Sequence, residues 1–155
     1  MQITRATDYA VRVMVHLATF PADHMANLGE LAEATSVRNN FLSKILQRLV
    51  RNGLLSSHRG TGGGFRLGVA PESLTLLQVV EAIEGKIALN TCLSDWQSCP
   101  LQTQCAAHPV WQKAQAALSQ ELAAVTIAEL AAQTTEKSDA LLEELQSGST
   151  NKPSM

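Results

Sequence analysis

A long stretch without a single acidic residue, residues 34–71, constrains this chain more than any other feature of its sequence. The stretch holds six of the twelve Lys and Arg residues, which are Arg38, Lys44, Arg48, Arg51, Arg59 and Arg66. The flanking segments are acidic, because residues 1–33 have a net charge of −2 and residues 72–155 a net charge of −6, against +6 in the stretch itself. One basic module in an otherwise acidic chain is typical of a protein that contacts nucleic acid through one face.

The first half of this basic stretch has the periodicity of an amphipathic helix. Its apolar residues recur at offsets of three and four and so share one face; they are Phe41, Leu42, Ile45, Leu46 and Leu49. The opposite side is left with polar and basic residues, namely Asn40, Ser43, Lys44, Gln47 and Arg48. We predict a helix over residues 39–52, with Gly53 as its C-terminal stop.

The second half of the stretch predicts a β-hairpin, because residues 54–59 and 65–67 flank a glycine-rich turn at residues 60–64. A short helix over residues 28–34 and a turn at residues 35–37 precede the basic helix. Helix, turn, helix and hairpin in this order indicate a winged helix-turn-helix, with the second helix in the major groove of DNA and the hairpin against the backbone or minor groove. A solvated basic surface is the plainer interpretation. A phosphate-binding loop is disfavoured, because no Lys-Ser or Lys-Thr follows the glycines and the run opens a strand.

The remaining chain is also predicted to be mainly helical. An apolar stripe that includes Ile3, Tyr9 and Leu17 predicts a first helix over residues 4–20. Capping-box patterns start further helices after Asn27, Thr75 and Thr126, and the last of these is expected to end near residue 133. We divide the chain into a winged domain (residues 1–85), a cysteine loop (86–107), dimerisation helices (108–133) and a mobile tail (134–155), with disorder expected from residue 148.

The helix predicted over residues 108–124 suggests a homodimer. One side of it is apolar and rich in alanine, with Val110, Trp111, Ala114, Ala117, Leu118 and Leu122. The small winged domain offers this helix no obvious partner, so we expect it to cross onto a second subunit; completion of the monomer core is the alternative. A two-fold dimer would present two recognition helices to a palindromic operator.

Composition narrows the class of protein further. No apolar run approaches the roughly 20 residues that span a bilayer, and the N-terminus lacks the apolar core of a signal peptide. Three cysteines, an odd number within residues 92–105, do not resemble a secreted disulfide framework. We therefore expect a cytoplasmic protein without membrane contact. No catalytic triad, phosphate loop or dinucleotide signature is present, so an enzyme is not expected.

The three cysteines, Cys92, Cys99 and Cys105, lie in one polar loop, and His108 follows three residues later. Three unremarkable thiols are the plainer alternative, but inert cysteines usually lie singly in apolar elements, which argues against it. A zinc site would take the same donors, although zinc ligands usually come in closer pairs. Wider spacing can wrap an iron–sulfur cluster held by thiolates and one further ligand. A thiol redox switch is a third possibility.

Taken together, these segments resemble the IscR/NsrR type of bacterial winged-helix repressors, which sense through an iron–sulfur cluster. The likeness extends from residue 1 to about residue 133. It rests on residues 7–12 (TDYAVR), the helix and strand over 42–55, the wing at 59–68 (RGTGGGFRLG), the three cysteines and residues 108–111 (HPVW).

The resemblance implies a cofactor and its ligands. Cys92, Cys99 and Cys105 would ligate iron in a 4Fe-4S or 2Fe-2S cluster. The fourth ligand would be His108, as in the cluster-assembly regulators, or Asp8 of the other subunit, as in the nitric-oxide sensors. The implied function is repression of transcription, controlled by nitric oxide, redox state or the supply of iron and clusters. A zinc-bound or thiol-switch regulator without a cluster remains the alternative, and a small cluster carrier is a more distant one.

The resemblance and the basic helix and hairpin together give the candidate DNA contacts. By analogy, Asn40 and Ser43 would face bases, Arg59 would enter the minor groove, and Arg38 would stand at the start of the recognition helix. The full set is Arg38, Asn39, Asn40, Ser43, Lys44, Arg48, Arg59, Thr61, Gly62 and Arg66.

Overall fold

In the computed structural model of this chain, the described residues are 3–94, 99 and 104–148, the last seven as backbone only. The described elements, in chain order, are α1 (Arg5–Ala18), α2 (Leu28–Thr35), α3 (Asn39–Arg51), β1 (Leu55–His58), β2 (Gly64–Leu67), α4 (Leu76–Glu84), α5 (Thr91–Ser94), α6 (His108–Ala124) and α7 (Ile127–Gly148). The predicted fold class, mainly α with a small β-hairpin wing, is confirmed.

Helices α2 and α3 form the helix-turn-helix unit, and α1 packs against both. Asn27 caps α2, because its Oδ1 accepts a hydrogen bond from the backbone N–H of Glu30 at 3.0 Å. The reciprocal half of the predicted capping box was wrong, since the carboxylate of Glu30 instead pairs with His24 Nε2 at 3.1 Å. Ser36 ends α2 in the left-handed conformation (φ 56°), and this residue turns the chain toward α3.

The wing is an antiparallel pair of strands in which Leu55 lies opposite Leu67 and His58 opposite Gly64. The hairpin is fixed to the body of the domain through Ala26, whose backbone exchanges two hydrogen bonds with Phe65 at 2.8 and 3.0 Å. A Cβ at residue 64 would overlap the carbonyl oxygen of Ala26, so only glycine permits this close approach. Gly62, with φ 78°, makes the turn at the tip.

Helix α3 places four of its five predicted apolar residues in the core, where Leu42, Leu46 and Leu49 are completely buried and Ile45 nearly so. Phe41, the fifth apolar residue of the predicted face, is 44 % exposed. Its ring instead meets the ring of Tyr9 on α1 edge to face, with 5.9 Å between centroids. Phe41 lies at the margin of the apolar stripe, where contact with a neighbouring helix leaves part of the ring in solvent.

The C-terminal helices close over α1 and α4. The Thr75 cap and its Gln78 partner form the predicted capping box of α4. The strand-like segment before α4 meets the α6–α7 junction, with Leu76 N donating to Val125 O at 2.9 Å and Ile127 N donating to Leu74 O at 2.8 Å. Helix α7 packs on α1, buries Ile127 completely, and runs to residue 148.

The end predicted for that last helix, near residue 133, was wrong. Residues 134–148, predicted as a separate tail, belong to α7, because no glycine or proline interrupts the helical sequence before Gly148. The expected disorder beyond residue 148 lies outside the described residues. No helix within the described ranges is both long and apolar enough to cross a membrane.

Candidate nucleic-acid interface and cysteine site

One face of α3 presents polar and basic side chains to solvent. Asn40, Lys44 and Gln47 are exposed, and Arg51 extends the same face by one more turn, at the spacing i, i+4, i+7, i+11. Asn39 at the start of the helix is exposed, and Ser43 is half-buried beside this face. Arg51 was not among the predicted DNA contacts, although this helical spacing would have identified it. The arrangement is that of a recognition helix.

The wing lies beside this face and adds further polar groups. A groove of about 490 Å³ separates the C-terminal half of α3 from the hairpin, and Gln47, Arg51, His58 and Arg59 are among its lining residues. Arg59, Thr61 and Gly62 are exposed at the tip. Arg66 is held on β2 by a hydrogen bond from its Nε to Ser56 Oγ at 3.1 Å. Helix and wing therefore form one continuous basic surface.

Two of the predicted DNA contacts, Arg38 and Arg48, lie outside the exposed polar face of α3. Arg38 is exposed and stands as the N-cap of α3, where its side chain makes no capping hydrogen bond. Arg48 is exposed, but its Nη1 reaches α4, where it donates to the backbone carbonyl oxygen of Ile83 at 2.8 Å. The sequence pattern did not reveal this contact.

Of the predicted metal ligands, the single chain brings only Cys92 and His108 to one cavity within the described residues. Cys92 lies on α5 and is half-buried, Cys99 is half-buried, and Cys105 is exposed; all three are free thiols. Cys92 and the buried His108 line the same cavity of about 350 Å³ between α5 and α6. The thiols and the imidazole are the donor types that iron–sulfur clusters take, so the chemistry of this corner fits such a group.

Asp8 lies apart from that cavity, on the first turn of α1. Its Oδ2 pairs with Arg12 Nη2 at 2.9 Å, and both side chains are more than half exposed. Within residues 3–94, 99 and 104–148, no three His, Cys, Asp or Glu side chains are grouped as a metal site would require.

A further polar junction, which the sequence did not predict, joins α1 to α4. Glu84 Oε1 accepts hydrogen bonds from Thr4 N at 3.0 Å, from Thr4 Oγ1 at 2.6 Å, and from the Thr7 hydroxyl. Burial alone would raise the pKa of Glu84, but these hydrogen bonds and the charge of Arg48 together lower it. Glu84 thus caps α1, whose N-cap residue Thr4 has no capping side-chain bond of its own.

A helix-turn-helix whose second helix presents Asn40, Lys44 and Arg51 beside a basic wing defines a DNA-binding transcriptional regulator of the winged-helix class. The comparisons with known proteins agree. The profile of the Rrf2 family, described as iron-dependent transcriptional regulator, matches residues 3–133. The chain belongs to the Rrf2 family, and members of this family are not enzymes.

Individual relatives support the assignment. The chain is 33 % identical over 115 residues to the HTH-type transcriptional regulator NsrR of Bacillus licheniformis. The matched region covers 74 % of this chain and 80 % of the relative. Among solved structures, T. potens IscR superposes with a TM-score of 0.70 at 20 % identity, over 88 % of this chain and 90 % of that one. CymR, the global cysteine regulator of B. subtilis, superposes with a TM-score of 0.69 at 24 % identity, over 86 % and 98 % of the two chains. At these identities the structures show a shared fold alone.

Proposed function

We propose that this Rrf2-family regulator is a repressor whose affinity for its operator depends on an iron–sulfur cluster. The observation that carries the proposal is the placement of Cys92 and His108 on one cavity at the start of α6, in a chain that also carries Cys99 and Cys105 as free thiols. Three thiols and an imidazole within 17 residues of sequence supply the donor types that such a cluster takes.

Cys92, Cys99 and Cys105 would hold the cluster, with His108 or Asp8 of a second subunit as the fourth ligand. An iron–sulfur cluster supplies a group that nitric oxide, oxygen or iron shortage can destroy or remove. Asp8 pairs with Arg12 through Oδ2 at 2.9 Å in the single chain, and as a ligand it would link α1 to the cluster of the neighbouring subunit. The fourth ligand would therefore decide whether α1 is attached to the neighbouring subunit.

DNA binding would use the surface of α3 and the wing. In the proposed complex, Asn40 and Ser43 read bases, Arg59 enters the minor groove, and Arg38 and Lys44 contact phosphates. Asn39, Thr61, Gly62 and Arg66 would complete the contact set. A cytoplasmic location follows from the proposed chromosomal target.

We further propose that the regulator is a homodimer on a palindromic operator. Helix α6 has 17 residues, of which only His108 is buried, while Val110 and Trp111 are 61 % and 43 % exposed. The apolar side of a helix of this length is normally packed against another element. We expect a second copy of α6 to be that element. Two subunits held at a fixed angle would match half-sites about one helical turn apart.

A thiol switch without a cluster is a second candidate, and a specific observation favours it. Cys105 is exposed, and Cys92 and Cys99 are both half-buried, so oxidants can reach at least one thiol. Among the chains of the same fold is an oxidized form of Staphylococcus aureus CymR. A structural zinc ion on the same donors is the remaining variant of this candidate.

The experiment that separates these candidates is purification under strict exclusion of oxygen, followed by spectroscopy and elemental analysis. The cluster proposal predicts a brown protein with iron and acid-labile sulfide in nearly equal amounts and visible absorbance that nitric oxide bleaches. A colourless protein with one zinc per chain, or one without metal, would contradict it. Cys99→Ala should remove the absorbance, and Asp8→Asn and His108→Gln, analysed in parallel, identify the fourth ligand by its loss.

A further inference from the structure

The basic helix α3 has a third face, exposed but separate from its polar face, whose side chains reach neighbouring helices. Phe41, Arg48 and Asn52 lie along one flank of the helix, at the spacing i, i+7, i+11. Phe41 meets Tyr9 on α1. Arg48 and Asn52 both reach the end of α4, where Arg48 Nη1 donates to Ile83 O at 2.8 Å and Asn52 Nδ2 donates to Ala82 O at 3.3 Å.

The chemistry of these contacts is that of a helix C-terminus. The last carbonyl groups of a helix have no partner within the helix, and a cation there is favoured by the helix dipole. Ala82 and Ile83 belong to the last turn of α4, so a guanidinium and an amide from α3 satisfy carbonyls that α4 itself cannot. Asn52 Nδ2 also donates to Arg48 O at 2.9 Å, so the two flank residues are joined to each other.

The same turn of α4 is attached to α1 on its other side. Glu84, the residue after Ile83, accepts the hydrogen bonds from Thr4 and Thr7 that cap α1. Thr7 directly precedes Asp8. One helical turn, residues 82–84, thus connects the recognition helix to the segment of α1 that carries Asp8.

We propose that Arg48 and Asn52 are positioning residues that fix the angle of the recognition helix through the last turn of α4, rather than residues that contact DNA. This inference rests on the proposed function, because it gives the route by which α1 influences α3. Arg51, three residues away on the same helix, serves as the contrast: its Nε donates within α3 to Gln47 O at 3.3 Å, and it lines the groove beside the wing.

The test compares Arg48→Gln with Arg51→Gln on a duplex selected from random sequence by the wild-type protein. Operator affinity is measured at several salt concentrations. Log affinity falls with log salt, and each lost phosphate contact makes this fall less steep by about 0.9. Arg51→Gln should lower the slope by about that amount. Arg48→Gln should leave the slope unchanged and weaken binding about threefold to tenfold at every salt concentration, as expected for one lost hydrogen bond.

Asn52→Ala is a second variant that keeps the test valid if Arg48→Gln misfolds. It removes a contact to the same turn of α4 without changing the charge. It should also weaken binding at constant slope. A slope that falls in Arg48→Gln as much as in Arg51→Gln would overturn the proposal, and so would normal affinity in both flank variants.

A second measurement tests the route itself, by comparing the operator affinity of cluster-loaded and emptied protein. The ratio of the two affinities should move toward one in Arg48→Gln and stay at the wild-type value in Arg51→Gln. An unchanged ratio in Arg48→Gln would contradict the route. If wild-type affinity does not depend on the cluster at all, the proposed function fails, while the salt comparison still decides whether Arg48 is a positioning residue.

Discussion

Helices α3 and α6 each carry an apolar stripe that the sequence displays clearly, but their stripes meet opposite surroundings. In α3, Leu42, Ile45, Leu46 and Leu49 are buried within their own chain. In α6, which is longer, only His108 is buried and Trp111 remains 43 % exposed. The apolar stripe of α3 is thus covered within one chain, whereas that of α6 stays largely open and is the surface on which the proposed dimer depends.

The largest effect is expected from shortening a core residue of α3. Leu46→Ala should lower the free energy of unfolding by about 2–5 kcal/mol, because it leaves a cavity in a closed core. Urea denaturation measures the change. Lys44→Ala, on the exposed face of the same helix, should stay within about 0.5 kcal/mol. A loss below 1 kcal/mol in Leu46→Ala would show that α3 is not packed as described.

The second test concerns the open apolar side of α6 and replaces its exposed tryptophan. Trp111→Asp should cost about 2–4 kcal/mol of dimerisation free energy, since a buried tryptophan is often central to an interface. Light scattering after size-exclusion chromatography measures the mass. Gln120 lies on a different side of α6, so the control variant Gln120→Asp should remain dimeric. A wild-type protein that is monomeric at micromolar concentration would contradict the proposed dimer. It would also remove the contrast between α3 and α6.

A smaller effect is expected at the tip of the wing. Arg59→Ala should weaken operator binding by about 1–2 kcal/mol and lower the salt slope by about 0.9, because one cationic contact to DNA is lost. The dimer mass and the cluster absorbance should not change, since Arg59 is exposed and distant in sequence from α6. Loss of absorbance in this variant would mean that the wing and the cysteine site are not separable.

The smallest effect concerns acid stability at the junction of α1 and α2. Burial is the main cause that lowers the pKa of His16 below its ordinary value of 6.5; Glu30 partly offsets this and His24 adds to it. The unfolded chain therefore binds a proton at higher pH than the folded chain does. Stability from this group is full above about pH 6.5 and is lost as the pH falls toward the folded pKa.

Urea midpoints at pH 7.5 and 5.5 measure this dependence. His16→Gln should show a smaller decrease in midpoint than wild type, because the titrating group is gone. An equal decrease in both proteins would assign the acid sensitivity to other groups.

Local patterns were sufficient to predict most of the fold. The bounds of α3 and α6, the hairpin, and the caps at Asn27 and Thr75 all follow from hydrophobic periodicity and from residues that accept backbone hydrogen bonds nearby. These features depend on neighbours a few residues apart, which a sequence displays directly. The error at the end of α7 has the same origin, since a polar helix without a stop signal looks like a tail.

The contacts that sequence analysis missed join residues far apart in the chain. Arg48 bonds a carbonyl 35 residues away, and Thr7 bonds a carboxylate 77 residues away. Nothing in the composition of either segment specifies these partners. The contact of Phe41 was missed for a similar reason, because its partner Tyr9 lies on another helix. The donor types of the cysteine site could be predicted, but its assembly depends on geometry beyond local sequence.

The most direct test of the central claim is the affinity of one preparation for its operator before and after the cluster is destroyed with nitric oxide. Allosteric coupling of ordinary size predicts a change of roughly 5–150-fold. The change should be absent in Cys99→Ala, which starts without a cluster. Iron-free protein from oxygen-free purification that binds the operator with undiminished affinity and ignores nitric oxide would contradict the account.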